Sequence, residues 1–159
     1  MSTILTTSGA LLIEGHRPKI AVIDPGASSI ILGKNFASKI DKCRSANPIG
    51  GDTFVSAGGQ EEKCVGRSKE LLQFVLAQGT EEETIIEATI IIADTNAYDV
   101  ILGMDFLGPF FGYIDPLTEE FVWRSDCHEA GKMPTRIARI PACCRAQSSM
   151  ERRHARPCR

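Results

Sequence analysis

The stretch "KIAVIDPGASSII", residues 19–31, is an apolar strand that runs into one carboxylate and then into a turn of small residues. A carboxylate that ends such a strand is partly removed from water and needs a polar partner. Gly26 permits a tight turn directly after it, and Ala27 and Ser28 leave room for another backbone to approach. On this stretch alone Asp24 has two interpretations, a reactive carboxylate or the cap of an Asx-type turn.

A second stretch of the same kind lies about 75 residues further along, at "YDVILGMDFL" (98–107). It is an apolar strand that ends in Gly103 and continues into an acidic and aromatic turn. Directly after the first stretch, "GKNFASKI" (33–40) has Phe36 and Ile40 spaced for one face of a short helix. These features together favour the reactive carboxylate over the turn cap.

The rest of the chain up to residue 126 is predicted to be short strands separated by turn residues. Two hairpins are predicted, one of residues 10–14 and 19–24 and one over 111–124 with its turn at Asp115-Pro116. Two further strands are predicted in 52–66 around "AGG". Single strands are predicted in 70–79, 84–94 and 98–108. Many short strands with little helix indicate a closed or sandwiched all-β domain.

The two motifs resemble those of the retropepsins, the retroviral-type aspartic proteases, and most closely the protease domains of LTR-retrotransposon polyproteins. In that family a hydrophobic pair precedes Asp-Ser/Thr-Gly-Ala-Ser/Thr, which "VIDPGAS" (22–28) matches. The later family element, Tyr-Asp-Val-Ile-Leu-Gly-Met-Asp-Trp/Phe-Leu, is matched at 98–107. The resemblance covers about residues 9–124. It implies an all-β, closed retropepsin-like acid-protease barrel with one short helix, expected as a C2 homodimer.

The resemblance also implies which residues form the site. Asp24 would be the catalytic carboxylate, and a glycine-rich flap hairpin would cover it. The implied catalytic-loop residues are Pro25, Gly26, Ala27 and Ser28; the flap or substrate-binding residues are Ala57, Gly58 and Gly59; and the second loop near the site contains Ile101, Leu102 and Gly103. The Ser28 hydroxyl is expected to donate a hydrogen bond to the outer oxygen of Asp24.

Hydrolysis of a peptide by carboxylates needs two of them close together and sharing one proton. The chain has one Asp-x-Gly-Ala-Ser element, and neither Asp99 nor Asp105 is followed by such a turn. In the family, the Asp at the Asp105 position is not catalytic. The dyad is therefore expected to form from Asp24 of two chains in a homodimer. The substrate would be an extended peptide or polyprotein, paired by β-augmentation beneath the flaps.

Pro25 departs from the family pattern, which has Ser or Thr there. In the family that hydroxyl reaches across the dimer axis to the partner loop, whereas proline has neither a hydroxyl nor an N–H. A looser dyad and a weaker dimer are expected. Two functions are therefore weighed: an aspartic endopeptidase that processes a retrotransposon-derived polyprotein, and a catalytically impaired peptide-binding or dimerisation module of the same fold.

The chain is expected to have three parts. Residues 1–8 are expected to be a flexible N-terminus and residues 9–126 the protease domain. Residues 1–126 carry 10 Lys and Arg against 18 Asp and Glu, a net −8, whereas residues 127–159 carry 8 against 2, a net +6. The basic tail, 127–159, has no sustained period and is expected to be largely disordered. Its arginines could contact phosphates, but no motif supports a nucleic-acid partner.

Other classes of function find no support in the sequence. No CxxC pair is present among the 6 cysteines, so neither a metal nor another cofactor is expected. No apolar run approaches the roughly 20 residues of a membrane span. The N-terminus, "MSTILTTSGALLIEGHRP", has no basic region before its apolar residues, as a secretory signal would. We therefore expect a cytoplasmic protein without a membrane partner.

Overall fold

The computed structural model describes residues 3–5, 11–48, 53–55, 61–127 and 131–144, and β-strands dominate them. The strands are β1 (Thr3–Leu5), β2 (Leu11–Ile13), β3 (Ala21–Ile23), β4 (Ile31–Gly33), β5 (Asn47–Pro48), β6 (Thr53–Val55), β7 (Glu61–Arg67), β8 (Leu72–Leu76), β9 (Thr84–Ala88), β10 (Ile91–Ala93), β11 (Val100–Leu102), β12 (Tyr113–Asp115), β13 (Glu120–Arg124), β14 (Ile137–Pro141) and β15 (Cys143–Cys144). The helices in these ranges are α1 (Lys34–Ala37) and α2 (Met104–Leu107), with 3₁₀ turns at Asp41–Cys43 and Gly108–Phe110.

The largest sheet carries both sequence motifs on adjacent strands. Its strand order is β15-β1-β3-β11-β4-β10-β7-β5, and β6 pairs with the N-terminal end of β7. β11 runs parallel to β3, with Ile101 opposite Val22, and antiparallel to β4, with Ile101 opposite Ile31. Because β3 and β11 are parallel, their carboxyl ends meet at one edge of the sheet, where Asp24 and Gly103 follow.

The central strands of this sheet, β3, β4 and β11, are buried at every position because both of their faces are covered. Alternate residues, such as Ile23 and Leu102, pack into the main core of the protein. The residues between them point to the opposite face and form a smaller apolar group. We call this group the Val22 cluster; it consists of Val22, Ile31, Ala93, Tyr98 and Ile101.

A row of aromatic side chains joins the second motif to the C-terminal sheet, whose strand order is β12-β13-β14. The rings of Phe74, Phe106, Phe110, Phe121 and Trp123 follow one another with centroids 4.8–6.1 Å apart. These spacings are those of favourable aromatic pairs. The row lies in the main core, so α2 is packed directly against the sheet that follows it.

Several predicted elements are present. The structure is mostly β, and α1 lies in the predicted helix with Phe36 and Ile40 both buried. The hairpins predicted in 52–66 and 111–124 are β6–β7 and β12–β13, both antiparallel. The single strand predicted over 84–94 is instead two strands, β9 and β10, which belong to different sheets.

One prediction about strand pairing is wrong. Residues 10–14 and 19–24 do not form a hairpin, because β2 pairs with β8 while β3 pairs with β1 and β11. The turn after β2 closes locally, through an isolated bridge between Ile13 and His16, and the chain then crosses to the large sheet. The described strands form separate sheets that keep edge strands, and no closed barrel is seen among them.

Residues 137–144 form strands where a disordered tail was expected. β14 pairs along its whole length with β13, and β15 pairs with β1, which lies in the N-terminus expected to be flexible. Ala138 and Ile140 are buried while Ile137 and Arg139 are exposed, which is the alternation of a half-buried strand. Because only four residues alternate, and prolines and arginines surround them, the sequence does not show a recognisable strand pattern here.

In the ranges that the structure describes, no helix has both the length and the apolar content needed to span a membrane.

Candidate active site

The carboxylate of Asp24 is held by the turn that follows β3. Its backbone N–H donates to the carbonyl oxygen of Leu102 over 3.1 Å, so the residue still belongs to the ladder between β3 and β11. The N–H of Gly26 donates to Asp24 Oδ1 over 2.9 Å, and the N–H of Ala27 donates to the Asp24 carbonyl oxygen over 3.1 Å. This is an Asx-type turn, and it fixes one carboxylate oxygen while the residue stays half-buried.

Pro25 fits this turn without strain on the hydrogen bonds. The three bonds use the N–H groups of Asp24, Gly26 and Ala27, and none of them needs a donor at position 25. Pro25 is exposed at the tip of the turn. The absence of an N–H at Pro25 therefore leaves the hydrogen bonds inside the loop intact. The difference from the family pattern is that Pro25 presents no side-chain hydroxyl at the surface.

The second motif is interlocked with the Asp24 loop at Gly103. A Cβ atom at Gly103 would collide with the carbonyl oxygen of Ser29 and would lie 2.8 Å from that of Ala27. The following amides bind the same loop: the N–H of Met104 donates to Ala27 over 2.7 Å and that of Asp105 donates to Ser28 over 3.1 Å. The first turn of α2 therefore caps the carbonyl groups of the candidate catalytic loop.

Asp99 and Asp105 both have structural partners. Asp99 Oδ2 accepts the backbone N–H of Lys19 over 2.6 Å, at the end of β11 opposite to Asp24. Partial burial raises the pKa of the Asp105 carboxyl, and a hydrogen bond from the backbone of Ile30 opposes this rise. Among the described contacts, neither carboxylate is joined to Asp24.

The Val22 cluster forms an apolar wall next to Asp24. Asp24 follows Ile23, so by the alternation of the strand it falls on the face of Val22 rather than on the face of the main core. Ala27 of the loop packs against this cluster. Ile31 and Ile101 belong to the same wall and are nearly fully buried. No site role was predicted for Val22 or Ile31, although the two-residue period of a strand places Val22 on the same face as Asp24.

A hydrogen bond connects this wall to the β6–β7 hairpin. The hydroxyl of Tyr98 donates to Glu62 Oε2 over 2.6 Å. In the sequence Tyr98 is recognisable only as the first residue of the second motif, and Glu62 lies outside both motifs. The two residues are 36 positions apart, and no local pattern in the sequence links them.

The remaining predicted site residues have different outcomes. Ala57, Gly58 and Gly59, at the predicted flap tip, lie outside the described residues, whereas the hairpin arms on either side are paired. Ser28 contributes its carbonyl oxygen to α2, and the bond from its hydroxyl to Asp24 stays a prediction. Across the described ranges, no three His, Cys, Asp or Glu side chains come together as a metal site would require.

Solved structures of other proteins share this architecture. The chain is similar to the retroviral protease-like domain of Ddi1 from Leishmania major, at 17% identity over 87% of this chain and 94% of that one, with a TM-score of 0.52. It is also similar to EIAV protease complexed with the inhibitor HBY-793 (18% identity, 68% of this chain and 85% of that one, TM-score 0.41). A retropepsin-like aspartic protease from Rickettsia conorii matches at 18% identity over 72% of this chain and 83% of that one, with a TM-score of 0.46.

No protein-family model matches the sequence, and no curated protein does either. The likeness to the Ddi1 domain nevertheless spans nearly all of both chains. This chain therefore has the fold of the retropepsin-like proteases, as the two sequence motifs predicted. The role of Asp24 within that fold is a separate question, which concerns chemistry rather than topology.

Proposed function

We propose that this chain is an aspartic endopeptidase of the retropepsin type, with Asp24 as its catalytic carboxylate. One observation carries the proposal: Asp24 ends a buried strand of a retropepsin-like fold, in a turn that is locked against Gly103 of the second motif. A turn that only capped a strand would not require a second segment, 75 residues away, to close over it. The fold alone hosts other functions, so the site has to carry the argument.

The proposed chemistry uses two Asp24 carboxylates that share one proton. The ionised carboxylate takes a proton from a water molecule, and the water oxygen attacks the carbonyl carbon of the peptide bond. The protonated carboxylate gives its proton to the carbonyl oxygen. The carbon–nitrogen bond of the gem-diol intermediate then breaks: the nitrogen takes the proton that the first carboxyl received from water, and a hydroxyl of the gem-diol returns a proton to the second carboxyl. The dyad again holds one shared proton. In each chain the Gly26 N–H holds Oδ1, so Oδ2 is the oxygen that we assign to proton transfer.

The second Asp24 has to come from a second copy of the chain, and an exposed apolar surface beside the loop supports a homodimer. Met104, which is bonded to Ala27, is 46% exposed, and Phe111 and Tyr113 are 56% and 46% exposed. Together with Leu107 and Arg124 they line a groove of about 550 Å³. Large apolar side chains grouped in this way are typical of interaction surfaces. We call this surface the Met104 patch.

The proposed substrate is an extended peptide, such as a segment of a polyprotein from a retrotransposon-type element. The β6–β7 hairpin would cover it as a flap, and the strand-like peptide would pair with the hairpin backbone. The polyprotein origin rests on the resemblance of the motifs to retrotransposon proteases.

The alternative is a module of the same fold that binds peptides or dimerises without cleavage. The observation that favours it is Pro25, an exposed residue with no hydroxyl to offer to a partner loop. A dyad displaced by about 1 Å can lose on the order of a hundredfold in rate. In this alternative the Met104 patch, the Val22 cluster and the β6–β7 hairpin keep their structural roles, and only the cleavage of the peptide bond is lost.

A cleavage assay on a diverse peptide pool at mildly acidic pH separates these functions. Wild type is compared with Asp24→Asn, with Pro25→Ser, and with Asp41→Asn as a matched control, whose carboxylate is 88% exposed. Cleavage by wild type and Asp41→Asn but not by Asp24→Asn supports the endopeptidase. Cleavage by Pro25→Ser alone supports the impaired module. If every variant is folded, dimeric and silent, the enzyme hypothesis is wrong.

A further inference from the structure

The hydrogen bond between Tyr98 and Glu62 is short and largely shielded from water. The distance from the hydroxyl oxygen to Oε2 is 2.6 Å, and Tyr98 is 7% exposed within the Val22 cluster. A phenol that donates to a carboxylate makes a charge-assisted bond, which is stronger than one between neutral groups. Burial, and then the bond to Glu62, raise the pKa of Tyr98, so the phenol stays protonated and remains the donor.

Glu62 lies where the β6–β7 hairpin leaves the large sheet. β7 pairs with β10 from Arg67 to Cys64, with an irregularity between Ile92 and Ala93 of β10. One further backbone bond follows, from the N–H of Asp94 to the carbonyl oxygen of Lys63 over 2.8 Å. Beyond this point β7 pairs only with β6, where Glu62 stands opposite Phe54. In the described part of the hairpin, the bond to Tyr98 is thus the outermost contact with the sheet.

The other end of this bond belongs to the candidate site. Tyr98 directly precedes Asp99 and β11, whose far end reaches Gly103 and the Asp24 loop. Tyr98 belongs to the same buried cluster as Val22 and Ile101. Val22 lies two residues before Asp24, and Ile101 lies two residues before Gly103. A change in the position of Glu62 therefore changes how the hairpin sits relative to the wall beside Asp24.

We propose that Tyr98 and Glu62 are positioning residues that anchor the β6–β7 hairpin to the sheet that carries Asp24 and thereby set the affinity for the peptide. The inference rests on the proposed function, in which this hairpin covers the substrate. An anchor that acts equally on bound substrate and transition state changes KM and leaves kcat unchanged. An interaction that forms only in the transition state would change kcat instead.

The test uses two conservative variants, Tyr98→Phe and Glu62→Gln. Tyr98→Phe removes the hydroxyl and keeps the ring in the Val22 cluster, and Glu62→Gln removes the charge and keeps the size. Glu87→Gln, an exposed acid on β9, is the matched control. For Tyr98→Phe we expect KM to rise about tenfold, which is about 1.4 kcal/mol of binding free energy, with kcat within about twofold of wild type. The double variant should be no weaker than Tyr98→Phe alone.

Hydrogen exchange of the backbone amides supplies a readout that does not depend on activity. In Tyr98→Phe we expect about tenfold faster exchange in residues 53–55 and 61–63, with unchanged exchange in β8 and β11. If Tyr98→Phe leaves exchange in the hairpin unchanged, or lowers kcat at constant KM, the proposal that Tyr98 anchors the hairpin is wrong. If wild type cleaves no peptide, the proposed function is wrong, and the exchange rates still decide whether Tyr98 anchors the hairpin.

Discussion

The backbone N–H of Met104 donates to the carbonyl oxygen of Ala27 over 2.7 Å, which bonds the second sequence motif directly to the loop that carries Asp24. The bond is possible because Gly103 lets the two backbones approach. Residues 24–29 and 103–105 therefore behave as one structural unit. A change in one segment is transmitted to the other through backbone contacts, which cannot relax as a flexible side chain can.

Replacement of Gly103 by alanine tests this unit. The new methyl group would collide with the carbonyl oxygens of Ser29 and Ala27, so we expect the free energy of unfolding to fall by about 1–3 kcal/mol. Urea unfolding followed by circular dichroism measures it. Gly108→Ala is the control, because nothing lies within 4 Å of a Cβ there and the backbone is helical, so stability should stay equal or rise. Equal stability of the two variants would contradict the interlock.

Much of the fold follows from the sequence because the strands around the site are locally consistent. "AVI" and "VIL" are buried on both faces, and such strands are recognisable as apolar runs bounded by turn residues. "ILG" is equally buried but was not predicted as a strand. The placement of Gly103 near Asp24 was implied by the family resemblance, and its close approach to Ala27 and Ser29 is seen only in the structure. The motif resemblance then joins the two segments.

The parts that the sequence did not predict depend on pairing between distant residues. β2 pairs with β8 and not with its neighbour β3, and no turn signal indicates that choice. β14 has only two inward-facing residues, Ala138 and Ile140, and it becomes a strand because β13 offers a buried partner. The bond between Tyr98 and Glu62 is of the same kind. Tertiary context decides all three, which is the usual limit of local propensity.

The buried hydrogen bond from Trp123 Nε1 to Thr84 Oγ1 gives a second prediction. The bond is 2.8 Å long, and both residues are fully buried. Thr84→Val leaves the indole N–H without an acceptor, so we expect the free energy of unfolding to fall by about 1–3 kcal/mol. Equilibrium urea unfolding measures the loss, and Thr135→Val, at an exposed position, is the control.

A double variant separates this bond from packing. In Trp123→Phe with Thr84→Val, both polar partners are absent, so the combined loss should be smaller than the sum of the single losses. Simple additivity would show that the hydrogen bond itself contributes nothing to stability.

The third prediction concerns Asp115 and how the free energy of unfolding changes at acidic pH. A hydrogen bond from the backbone N–H of Leu117, and then one from the Arg139 guanidinium, lower the pKa of Asp115. A carboxyl whose pKa is lower in the folded state stabilises the fold above its unfolded pKa of about 3.9, and this contribution is lost as the pH falls through the folded value. We therefore expect the stability of wild type to fall below about pH 4, and Asp115→Asn to fall less steeply.

Urea midpoints measured between pH 7 and pH 2.5 test this expectation. Arg139→Gln is the matched variant, because it removes a donor to Asp115 while the carboxyl remains. Arg139→Gln should also reduce the loss of stability below about pH 4, by a smaller amount than Asp115→Asn does. An Asp115→Asn protein with the wild-type slope would contradict the assignment.

The Met104 patch gives a prediction about assembly. Phe111 is 56% exposed and has a left-handed backbone, with φ of 57°, which a bulky residue rarely adopts. If the patch is the contact between two chains, Phe111→Glu should raise the dimer dissociation constant at least about thirtyfold, since buried aromatic residues at interfaces contribute about 2 kcal/mol or more. Sedimentation equilibrium measures the constant.

Leu117→Glu is the control for surface charge, because Leu117 is 93% exposed at the turn of the β12–β13 hairpin. Its dissociation constant should match that of wild type. A dimer that tolerates Phe111→Glu would place the contact elsewhere on the protein.

Trp123 is the single tryptophan of the chain, and its position makes it a built-in optical reporter. Its indole stacks on Phe121 at 5.6 Å and is bonded across to β9, so it stands at the junction between two sheets. Emission from a fully buried indole lies at shorter wavelength than emission from one in water. A shift of that emission during unfolding would therefore report the separation of the C-terminal sheet from β9, without any label.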